Sequence, residues 1–451
     1  MTKKITSVLA FFILLVSCGE DPIEPIPTGP QQYGTPLSNV PDIDKATIYE
    51  VNLRAQSSEG TIQGVISKLE HIKSLGTNII WLMPIYEQGT VNSVGSPYSV
   101  KNYEKISPEY GTLADLRALT DQAHAMGMAV ILDWVANHTA WDHPWISAHP
   151  EWYSQNASGQ IIIPPGTNWN DVADLNFDQN AMRKAQIDAM KYWVLEANVD
   201  GFRCDYADGV PFDFWSEAIA ALKSLPKRDV LMLAEGTRSD HYQAGFDLTY
   251  GWNYYTTLKN VWNGAATSTL TTTNQLEYGN IPSGKGKIRF TTNHDESAWD
   301  ASPMSLFNGK NGAIAASVVT IFSGGVPLLY TGQEVGKTGT TPFFTNSTIN
   351  WTSNADMLAA YQKLYTIYNN NSAARSSTIS AYQLSNDLVC WKKTNGSSSV
   401  LILVNVRNAT INATLPPALT GNFNNLISGI SENLSSALTL TPYAYRIYQM
   451  N

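Results

Sequence analysis

Eight short apolar runs recur along the middle of this 451-residue chain, and a longer segment of helical periodicity follows each of them. The runs are 47–53, 78–84, 129–134, 201–205, 230–235, 245–250, 288–292 and 326–330. Apolar runs that alternate with helical segments are typical of parallel strands covered by helices. A closed barrel of eight strand-helix units takes about 250 residues, or roughly 31 per unit. The spacing therefore predicts an α/β fold, a (β/α)8 TIM barrel over residues 46–372.

Two regions do not fit the repeating unit. The gap of 72 residues from Asp133 to Asp205 is too long for one strand-helix unit, and 139–172 is rich in Trp and Pro. We expect 139–172 to form a short excursion domain after strand 3, on the face where the strands end. After residue 373 the pattern changes to short alternating runs such as 388–391 and 400–404, bounded by Asn, Gly and Ser. This pattern predicts a C-terminal antiparallel β-sandwich domain over 373–451.

The N-terminus has the composition of an export signal. Lys3 and Lys4 precede an apolar run over 9–16 that is too short to span a bilayer, which predicts a signal peptide over 1–17. The segment 15–18, Leu-Val-Ser-Cys, resembles a bacterial lipobox, so we expect lipid on Cys18, with a plain secretory signal as the alternative. The Pro-rich segment 18–45 would then be a tether.

The expected location is therefore the bacterial cell envelope, as a lipoprotein anchored at the outer membrane on its surface or periplasmic face. The acidic residues at 19–21 resemble the stretch that follows the cysteine in surface lipoproteins of Bacteroidetes-type bacteria. At that location we expect partners among proteins that take up the same ligand.

Charge and aromatic content narrow the class of ligand. The formal net charge is −9 and Lys and Arg are not clustered, which argues against a nucleic-acid partner. Phe, Trp and Tyr number 13, 13 and 22, a supply that fits either stacking on sugar rings or ordinary core filling. Cys204 and Cys390 lie in different predicted domains, so no disulfide between them is expected.

Three acids follow predicted strands at the spacing of the repeat. Asp205 ends the fourth strand, Glu235 follows 30 residues later at the end of the fifth, and Asp295 lies 60 residues further on, after the seventh. Barrel enzymes hold their chemistry at this end of the strands. Two carboxyl groups from neighbouring strands are what glycoside cleavage with retention requires.

The surroundings of the acids suggest separate roles. Arg203 points to the same side of its strand as Asp205 and would keep that carboxylate ionised, as a nucleophile requires. The apolar run 231–234 leads into Glu235 and would favour a protonated carboxyl there. Taken singly, these features also fit a structural ion pair and a carboxylate at a helix N-terminus.

Together the segments resemble the α-amylase family of retaining glycoside hydrolases. The four motifs that carry this resemblance are 133–138 (DWVANH), 201–205 (GFRCD), 235–236 (EG) and 290–295 (FTTNHD). Further support comes from 48–51, 81–84, 96–103, 108–112 and 330–334. The resemblance covers residues 46 to about 370, and the C-terminal domain fits by position only.

The resemblance implies roles for individual residues. Asp205 is the nucleophile, Glu235 the acid/base and Asp295 the transition-state stabiliser. The implied substrate contacts are Tyr98, His138, Arg203 and His294, and Asp133 is a structural partner within the site. The implied reaction is cleavage of α-1,4-glucosidic bonds in starch, maltodextrins or related α-glucans by double displacement.

Two departures from the family pattern leave alternatives open. Asp208 and Gly209 stand where many members have a Lys-His pair, so binding on the leaving side must differ. The segment 172–176 matches neither the α-1,6-glucosidase nor the neopullulanase version of its motif, so linkage preference stays open between α-1,4 hydrolysis, pullulan or α-1,6 cleavage, and transglycosylation. A starch-binding lipoprotein without activity is disfavoured by the complete set of acids.

A structural calcium ion is also implied by the resemblance. Asn137 and Asp174 match positions that bind calcium in the family, and a carbonyl near Gly209 would replace that of the family's histidine. The alternative is that these two side chains only tie loops together.

Overall fold

The computed structural model describes residues 29–450. The predicted signal peptide, Cys18 and the first part of the predicted tether lie outside these residues. The strands in chain order are β1 (Ile48–Val51), β2 (Ile79–Leu82), β3 (Tyr86–Gln88), β4 (Val100–Ile106), β5 (Ala129–Trp134), β6 (His138–Ala140), β7 (Val172–Asp174), β8 (Gly201–Cys204), β9 (Leu231–Ala234), β10 (Leu248–Tyr250), β11 (Gly286–Arg289), β12 (Val326–Tyr330), β13 (Ile379–Ala381), β14 (Leu388–Asn395), β15 (Ser398–Asn405), β16 (Ile411–Thr414), β17 (Gly421–Asn425), β18 (Ser431–Leu434), β19 (Ala437–Leu440) and β20 (Tyr445–Met450).

Helices follow most of the strands in the first three quarters of the chain. They are α1 (Leu53–Gln56), α2 (Ile62–Ile66), α3 (Leu69–Ser74), α4 (Leu113–Ala125), α5 (Pro144–Ala148), α6 (Asn180–Glu196), α7 (Phe212–Lys223), α8 (His241–Ala244), α9 (Trp252–Trp262), α10 (Ser268–Tyr278), α11 (His294–Trp299), α12 (Pro303–Leu306), α13 (Lys310–Phe322), α14 (Ala355–Asn370) and α15 (Ser372–Arg375). No helix within 29–450 is long and apolar enough to cross a membrane.

Eight parallel strands close into the predicted barrel, in the order β1, β12, β11, β10, β9, β8, β5, β2. Side chains alternate between two cores along each strand, as a strand period of two requires. Ile79 and Trp81 point into the barrel, whereas Ile80 and Leu82 pack against the outer helices. The apolar runs of the sequence are continuous because both faces of these strands are buried.

The predicted strands match the observed ones to within a few residues, with one shift. The seventh barrel strand was expected over 288–292, but the ladder ends at Arg289 and β11 begins at Gly286. Phe290 and Thr291 are buried beyond the ladder, which explains why the apolar pattern continues past the strand.

Two antiparallel hairpins lie outside the barrel, beyond the C-terminal ends of barrel strands β2 and β5. The antiparallel pair β3 and β4 follows barrel strand β2. The pair β6 and β7 closes the excursion after the third barrel strand, with His138 opposite Asp174.

The C-terminal part of the chain is antiparallel, as predicted. Strands β13, β14, β15, β20, β17 and β18 form one sheet, and β16 pairs with β19 in a second. Leucines from both sheets share one apolar cluster, which makes the unit a sandwich. Cys390 in this unit and Cys204 in the barrel are both buried free thiols.

Candidate active site

The register of neighbouring strands places the first two acids side by side. Cys204 pairs with Ala234 at the ends of β8 and β9, so the next residues, Asp205 and Glu235, emerge together. Backbone hydrogen bonds continue past the strand ends, from Glu235 N to the Cys204 carbonyl at 2.9 Å and from Asp205 N to the Trp134 carbonyl at 2.8 Å. The backbone therefore fixes the two carboxyl groups relative to each other.

Arg203 lies at the centre of the acidic cluster and is fully buried. Its Nη1 contacts Asp133 Oδ1 at 2.7 Å and Asp205 Oδ1 at 3.0 Å, and its Nη2 lies 2.8 Å from Glu235 Oε2. One guanidinium that reaches both Asp205 and Glu235 fits the short carboxyl separation of retaining enzymes, about 5 to 5.5 Å.

The electrostatics correct one expectation from the sequence. Burial raises the pKa of Asp205 well above its usual range; Arg203 opposes this rise, and the nearby carboxylates of Glu235 and Asp133 add to it. Glu235 was expected to be the desolvated carboxyl, yet its contacts include Arg203 and the backbone N–H of Tyr206, at 2.8 Å. Arg203 therefore shares its one positive charge among Asp133, Asp205 and Glu235 and does not act on Asp205 alone.

Tyr98 and His294, two of the predicted substrate contacts, form a stacked pair of rings in the same site as Asp205, the predicted nucleophile. Their rings stack at 5.5 Å between centroids, and Tyr98 Oη lies 2.8 Å from His294 Nε2. Tyr98 Oη also donates to Asp133 Oδ2 at 3.0 Å, which makes Asp133 the structural partner that the sequence indicated. Asp295 follows His294 in the first turn of α11, with its Oδ2 3.4 Å from His294 Nε2.

The predicted acids and contact residues meet in one open cavity of about 620 Å³. The members of the predicted set that line it are Tyr98, His138, Asp205, Glu235, His294 and Asp295. Arg203 lies beneath the cavity floor and reaches the cavity only through the carboxylates it holds. The excursion forms one wall through 168–172, which is the position predicted for it.

Comparison with known proteins places the chain in a family. The model of the alpha-amylase catalytic domain matches residues 42–159 and 151–387. The crystal structure of an alpha-amylase from Lactobacillus plantarum superposes with a TM-score of 0.82 at 32% identity, over 90% of this chain and 99% of that one. The chain belongs to the α-amylase family.

Two curated relatives in the α-amylase family are more distant. Alpha-amylase 3 of Dictyoglomus thermophilum is 28% identical over 368 residues, which are 73% of this chain and 71% of that protein. Alpha-amylase MalA of Haloarcula japonica is 28% identical over 312 residues, which are 66% of this chain. The chain spans 45% of the length of the Haloarcula protein.

Asp208 and Gly209, which stand where many α-amylase family members have a Lys-His pair, do not line the cavity. Asp208 accepts hydrogen bonds from Thr237 N at 3.0 Å, from Arg238 N at 3.2 Å and from His241 Nε2 at 2.7 Å. Burial opposes ionisation here, but the hydrogen bonds from His241 and the two amides lower the pKa of Asp208 to about 2. Asp208 thus holds the loop after Glu235 in place.

The predicted calcium ligands lie together beside this loop. Asn137 Nδ2 is 3.4 Å from Asp174 Oδ1, and a methyl group added to Gly209 would lie 3.0 Å from Asn137 Oδ1. Burial raises the pKa of Asp174, and within 29–450 no Lys, Arg or His forms a salt bridge with it. The Asn137 amide nitrogen donates the long hydrogen bond to Asp174, and the Asp174 carboxylate and the Asn137 amide oxygen are ligand types that calcium takes. Within the same residues, no three His, Cys, Asp or Glu side chains gather as a metal site, so any cation here would also need backbone or amide oxygens.

Sequence reasoning missed several residues of the site. Glu50, at the end of β1, lies 2.5 Å from His294 Nδ1, and it is fully buried. Phe343 packs edge-on against both Tyr98 and His294, and Phe344 and Trp299 extend this aromatic wall. Glu50 follows the rule that located the other acids, because it too is a carboxylate at the end of a barrel strand. Phe343 and Phe344 lie in a loop without any periodic signal.

Proposed function

We propose that the protein is a retaining glycoside hydrolase that cleaves α-1,4-glucosidic bonds in starch-like glucans. The observation that carries this proposal is that Asp205 and Glu235 both contact the guanidinium group of Arg203. Asp295 and the stacked rings of Tyr98 and His294 lie beside these two acids. Membership of the α-amylase family supports the same chemistry.

The proposed reaction has two displacements. Glu235 donates its proton to the glycosidic oxygen while an Asp205 oxygen attacks the anomeric carbon, so that the leaving sugar departs as an alcohol and a glycosyl ester forms on Asp205. Glu235, now ionised, then takes a proton from water, and the hydroxide attacks the same carbon and releases Asp205. The Asp295 carboxylate stabilises the positive charge that develops on the sugar ring, and His294 orients the sugar through hydrogen bonds.

We propose long glucans as the preferred substrates, on the basis of the aromatic wall of the cavity. Trp299 is 65% exposed, and its ring packs edge-on to Phe343 at 5.9 Å and to Phe344 at 5.4 Å. These rings extend the aromatic wall of the cavity from Tyr98 to the open side. Aromatic faces of this kind bind the apolar faces of sugars. We therefore favour endo action on polymers.

Transglycosylation is the second candidate, because capture of the glycosyl ester by a sugar uses the same residues. An alpha-1,4-glucan:maltose-1-phosphate maltosyltransferase of Rhodospirillum rubrum is 34% identical over 261 residues. Pullulan or α-1,6 cleavage is a third possibility on the same site. Products from amylose, pullulan and isomaltooligosaccharides, each with and without added maltose, separate the three.

The decisive variant is Asp205→Asn, which keeps the shape of the side chain and removes the nucleophile. We expect turnover of amylose to fall by at least 1,000-fold, on the order seen when an enzyme loses a covalent step, while the circular dichroism spectrum and melting temperature stay close to those of the native protein. Asp213→Asn, at an exposed carboxylate, is the matched control. Substantial hydrolysis by a folded Asp205→Asn enzyme would exclude the nucleophile assignment.

We also propose a structural calcium ion held by Asn137 and Asp174. The ion would tie the β6–β7 hairpin to the loop after the nucleophile and would supply only charge and rigidity there. EDTA should lower the melting temperature, and added Ca²⁺ should restore it. The variant Asp174→Asn should melt at a lower temperature than the native protein and should no longer respond to EDTA.

Lipidation of Cys18 and an envelope location remain proposals that rest on residues 15–18. The variant Cys18→Ser tests them in the full chain. We expect it to move from the membrane fraction to the soluble periplasmic or secreted fraction, whereas equal membrane retention of both forms would exclude the anchor.

A further inference from the structure

Two loops that line the cavity meet at its rim. The loop 89–97 follows β3 and the loop 340–347 lies after β12, and they contribute Val94 and Phe344, among other residues, to the lining. The loops approach so closely that a methyl group added to Gly95 would lie 2.8 Å from the Phe344 carbonyl oxygen. Their relative position therefore decides the shape of this side of the cavity.

Arg54, in the short helix α1, binds both loops at once. Its side chain is buried, and its Nη1 donates to the Gly95 carbonyl and to the Phe343 carbonyl, each at 2.7 Å. A further connection comes from the backbone of the same residue, because the Arg54 carbonyl accepts a hydrogen bond from Ser347 N at 2.9 Å. One guanidinium nitrogen thus holds a backbone carbonyl of each loop.

The other terminal nitrogen fixes the guanidinium against the β3–β4 hairpin. Arg54 Nη2 donates to Gln88 Oε1 at 3.0 Å and to Glu109 Oε1 at 2.8 Å. Gln88 Nε2 donates to the same Glu109 oxygen at 2.6 Å. The Glu109 carboxylate balances the charge of Arg54, and the rigid planar fork of an arginine allows one group to serve four acceptors.

The loops that Arg54 holds carry an aromatic contact of the catalytic centre. Phe343 packs edge-on against Tyr98 at 5.8 Å and against His294 at 5.2 Å, measured between ring centroids. Within 29–450, Arg54 itself forms no hydrogen bond or salt bridge with the three predicted catalytic acids. Any influence of Arg54 on the reaction therefore passes through the loops.

We propose that Arg54 is a positioning residue that holds the two loops in the arrangement that binds the glucan. This inference rests on the proposed glycosidase function. The three acids lie after β8, after β9 and in α11, outside the two loops. Loss of Arg54 should therefore weaken substrate binding far more than it slows the chemical step.

The variant Arg54→Met tests this split, because methionine keeps an apolar stem and removes all four donated hydrogen bonds. We expect KM for amylose to rise about tenfold and kcat to stay within about threefold of the native value. A purely structural role predicts the opposite result. A smaller folded fraction lowers the apparent kcat and leaves KM unchanged.

Hydrogen exchange reports on the loops directly. In Arg54→Met the backbone amides of 89–97 and 340–347 should exchange at least about tenfold faster, while those of β5 and β8 keep their native rates. Arg117→Met is the matched control, since Arg117 also donates to a carbonyl and to a carboxylate oxygen, both of Glu196 and both at 2.6 Å. This control should leave KM and the exchange of both loops at native values.

An unchanged KM in folded Arg54→Met would overturn the proposal, as would native exchange rates in both loops. If Arg54→Met does not fold, Arg54→Lys gives the same test, since lysine keeps the charge opposite Glu109 but lacks the planar group that reaches four acceptors. A native protein that does not hydrolyse amylose would instead refute the proposed function. The exchange rates would still show whether Arg54 holds the loops, so the two failures are distinguishable.

Discussion

At the scale of single residues, Glu50 sets the protonation of the histidine in the site. Glu50 Oε1 lies 2.5 Å from His294 Nδ1, and both side chains are buried. Tyr98 uses its one hydroxyl proton toward Asp133, so it accepts a hydrogen bond from His294 Nε2. With donors on both ring nitrogens, His294 is an imidazolium. Burial alone would lower the pKa of His294, but Asp295 and Glu50 outweigh it and raise the pKa to about 9.

We predict that Glu50→Gln moves the alkaline limit of activity to lower pH. In the native protein the proton on His294 is lost as pH rises through about 9, so kcat/KM on amylose should decline there. Removing the Glu50 charge removes one of the two influences that raise this pKa, and we expect the limit to fall by about one pH unit. The measurement is the pH profile of kcat/KM.

The control is Glu151→Gln, at an exposed carboxylate outside the cavity, which should leave the profile unchanged. The same proton also stabilises the fold, since a raised histidine pKa contributes stability that is complete below about 6.5 and is lost as pH rises through about 9. An alkaline limit that is identical in Glu50→Gln and the native enzyme would contradict the prediction.

The sequence predicted the acids of the site because each follows an apolar strand. It did not predict the pairing of Glu50 with His294, because these residues are 244 positions apart and meet only when the barrel closes. The surroundings expected for Asp205 and Glu235 differ from the observed ones for a related reason, while the roles proposed for the two acids stay the same. Arg203 contacts Asp205, Glu235 and also Asp133. A local stretch of sequence does not indicate which distant side chains a buried arginine will contact.

At the scale of elements, Gly201 sets the distance between the strands that carry the two acids. Its φ is 155°, and a methyl group added there would lie 1.9 Å from the Leu231 carbonyl oxygen. Gly201 pairs with Leu231 at the start of the β8–β9 ladder, four residues before Asp205. Only glycine allows the two backbones to approach this closely.

We predict that Gly201→Ala both destabilises the protein and misplaces the nucleophile. The methyl group must separate β8 from β9, and we expect a loss of about 3 kcal/mol or more in the free energy of unfolding. Urea denaturation and kcat/KM on amylose measure the two effects. Gly127→Ala is the matched control, because Gly127 also has a positive φ (71°) but has open space around it. Equal losses in the two variants would show that backbone strain, and not the approach of β9, is responsible.

Elements with long apolar runs were predictable, and short polar ones were not. All eight barrel strands were expected close to their observed positions because both of their faces are buried. The β3–β4 hairpin was not, since β4 alternates irregularly between buried and exposed residues and pairs with β3 through shifts in register. Its position is determined by packing against the barrel.

At the scale of the whole molecule, a buried lysine connects the barrel to the C-terminal sheet. Lys393 of β14 is fully buried, and its Nζ donates to the Phe322 carbonyl at 2.7 Å and to the Ala374 carbonyl at 2.5 Å. These carbonyls lie at the ends of α13 and α15, where helix geometry leaves acceptors without partners. Arg407 makes a second connection, from its Nη2 to the Ala265 carbonyl at 2.8 Å. The C-terminal unit thus places cations against backbone carbonyls of the barrel, at Phe322 and Ala265.

The composition change near residue 373 indicated a separate unit, but it could not indicate these connections. Lys393 lies in an apolar run of alternating type, where a charged residue is expected to point to solvent. Burial instead lowers its pKa to about 7. The fold tolerates the buried lysine because its ammonium group donates hydrogen bonds to the two carbonyls.

We predict that Lys393→Met weakens the connection between barrel and sheet. Methionine keeps the length of the side chain but leaves two buried carbonyls without a donor, at about 1 to 3 kcal/mol each. Because the lysine pKa is lower in the folded state than in the unfolded chain, the unfolded state binds more protons between about pH 7 and about pH 10, and native stability should rise with pH across that window. Melting temperatures at pH 7 and pH 9, in both proteins, test both statements. Lys392→Met, on the opposite face of the same strand, should melt close to the native protein, and a pH dependence retained in Lys393→Met would assign it to another group.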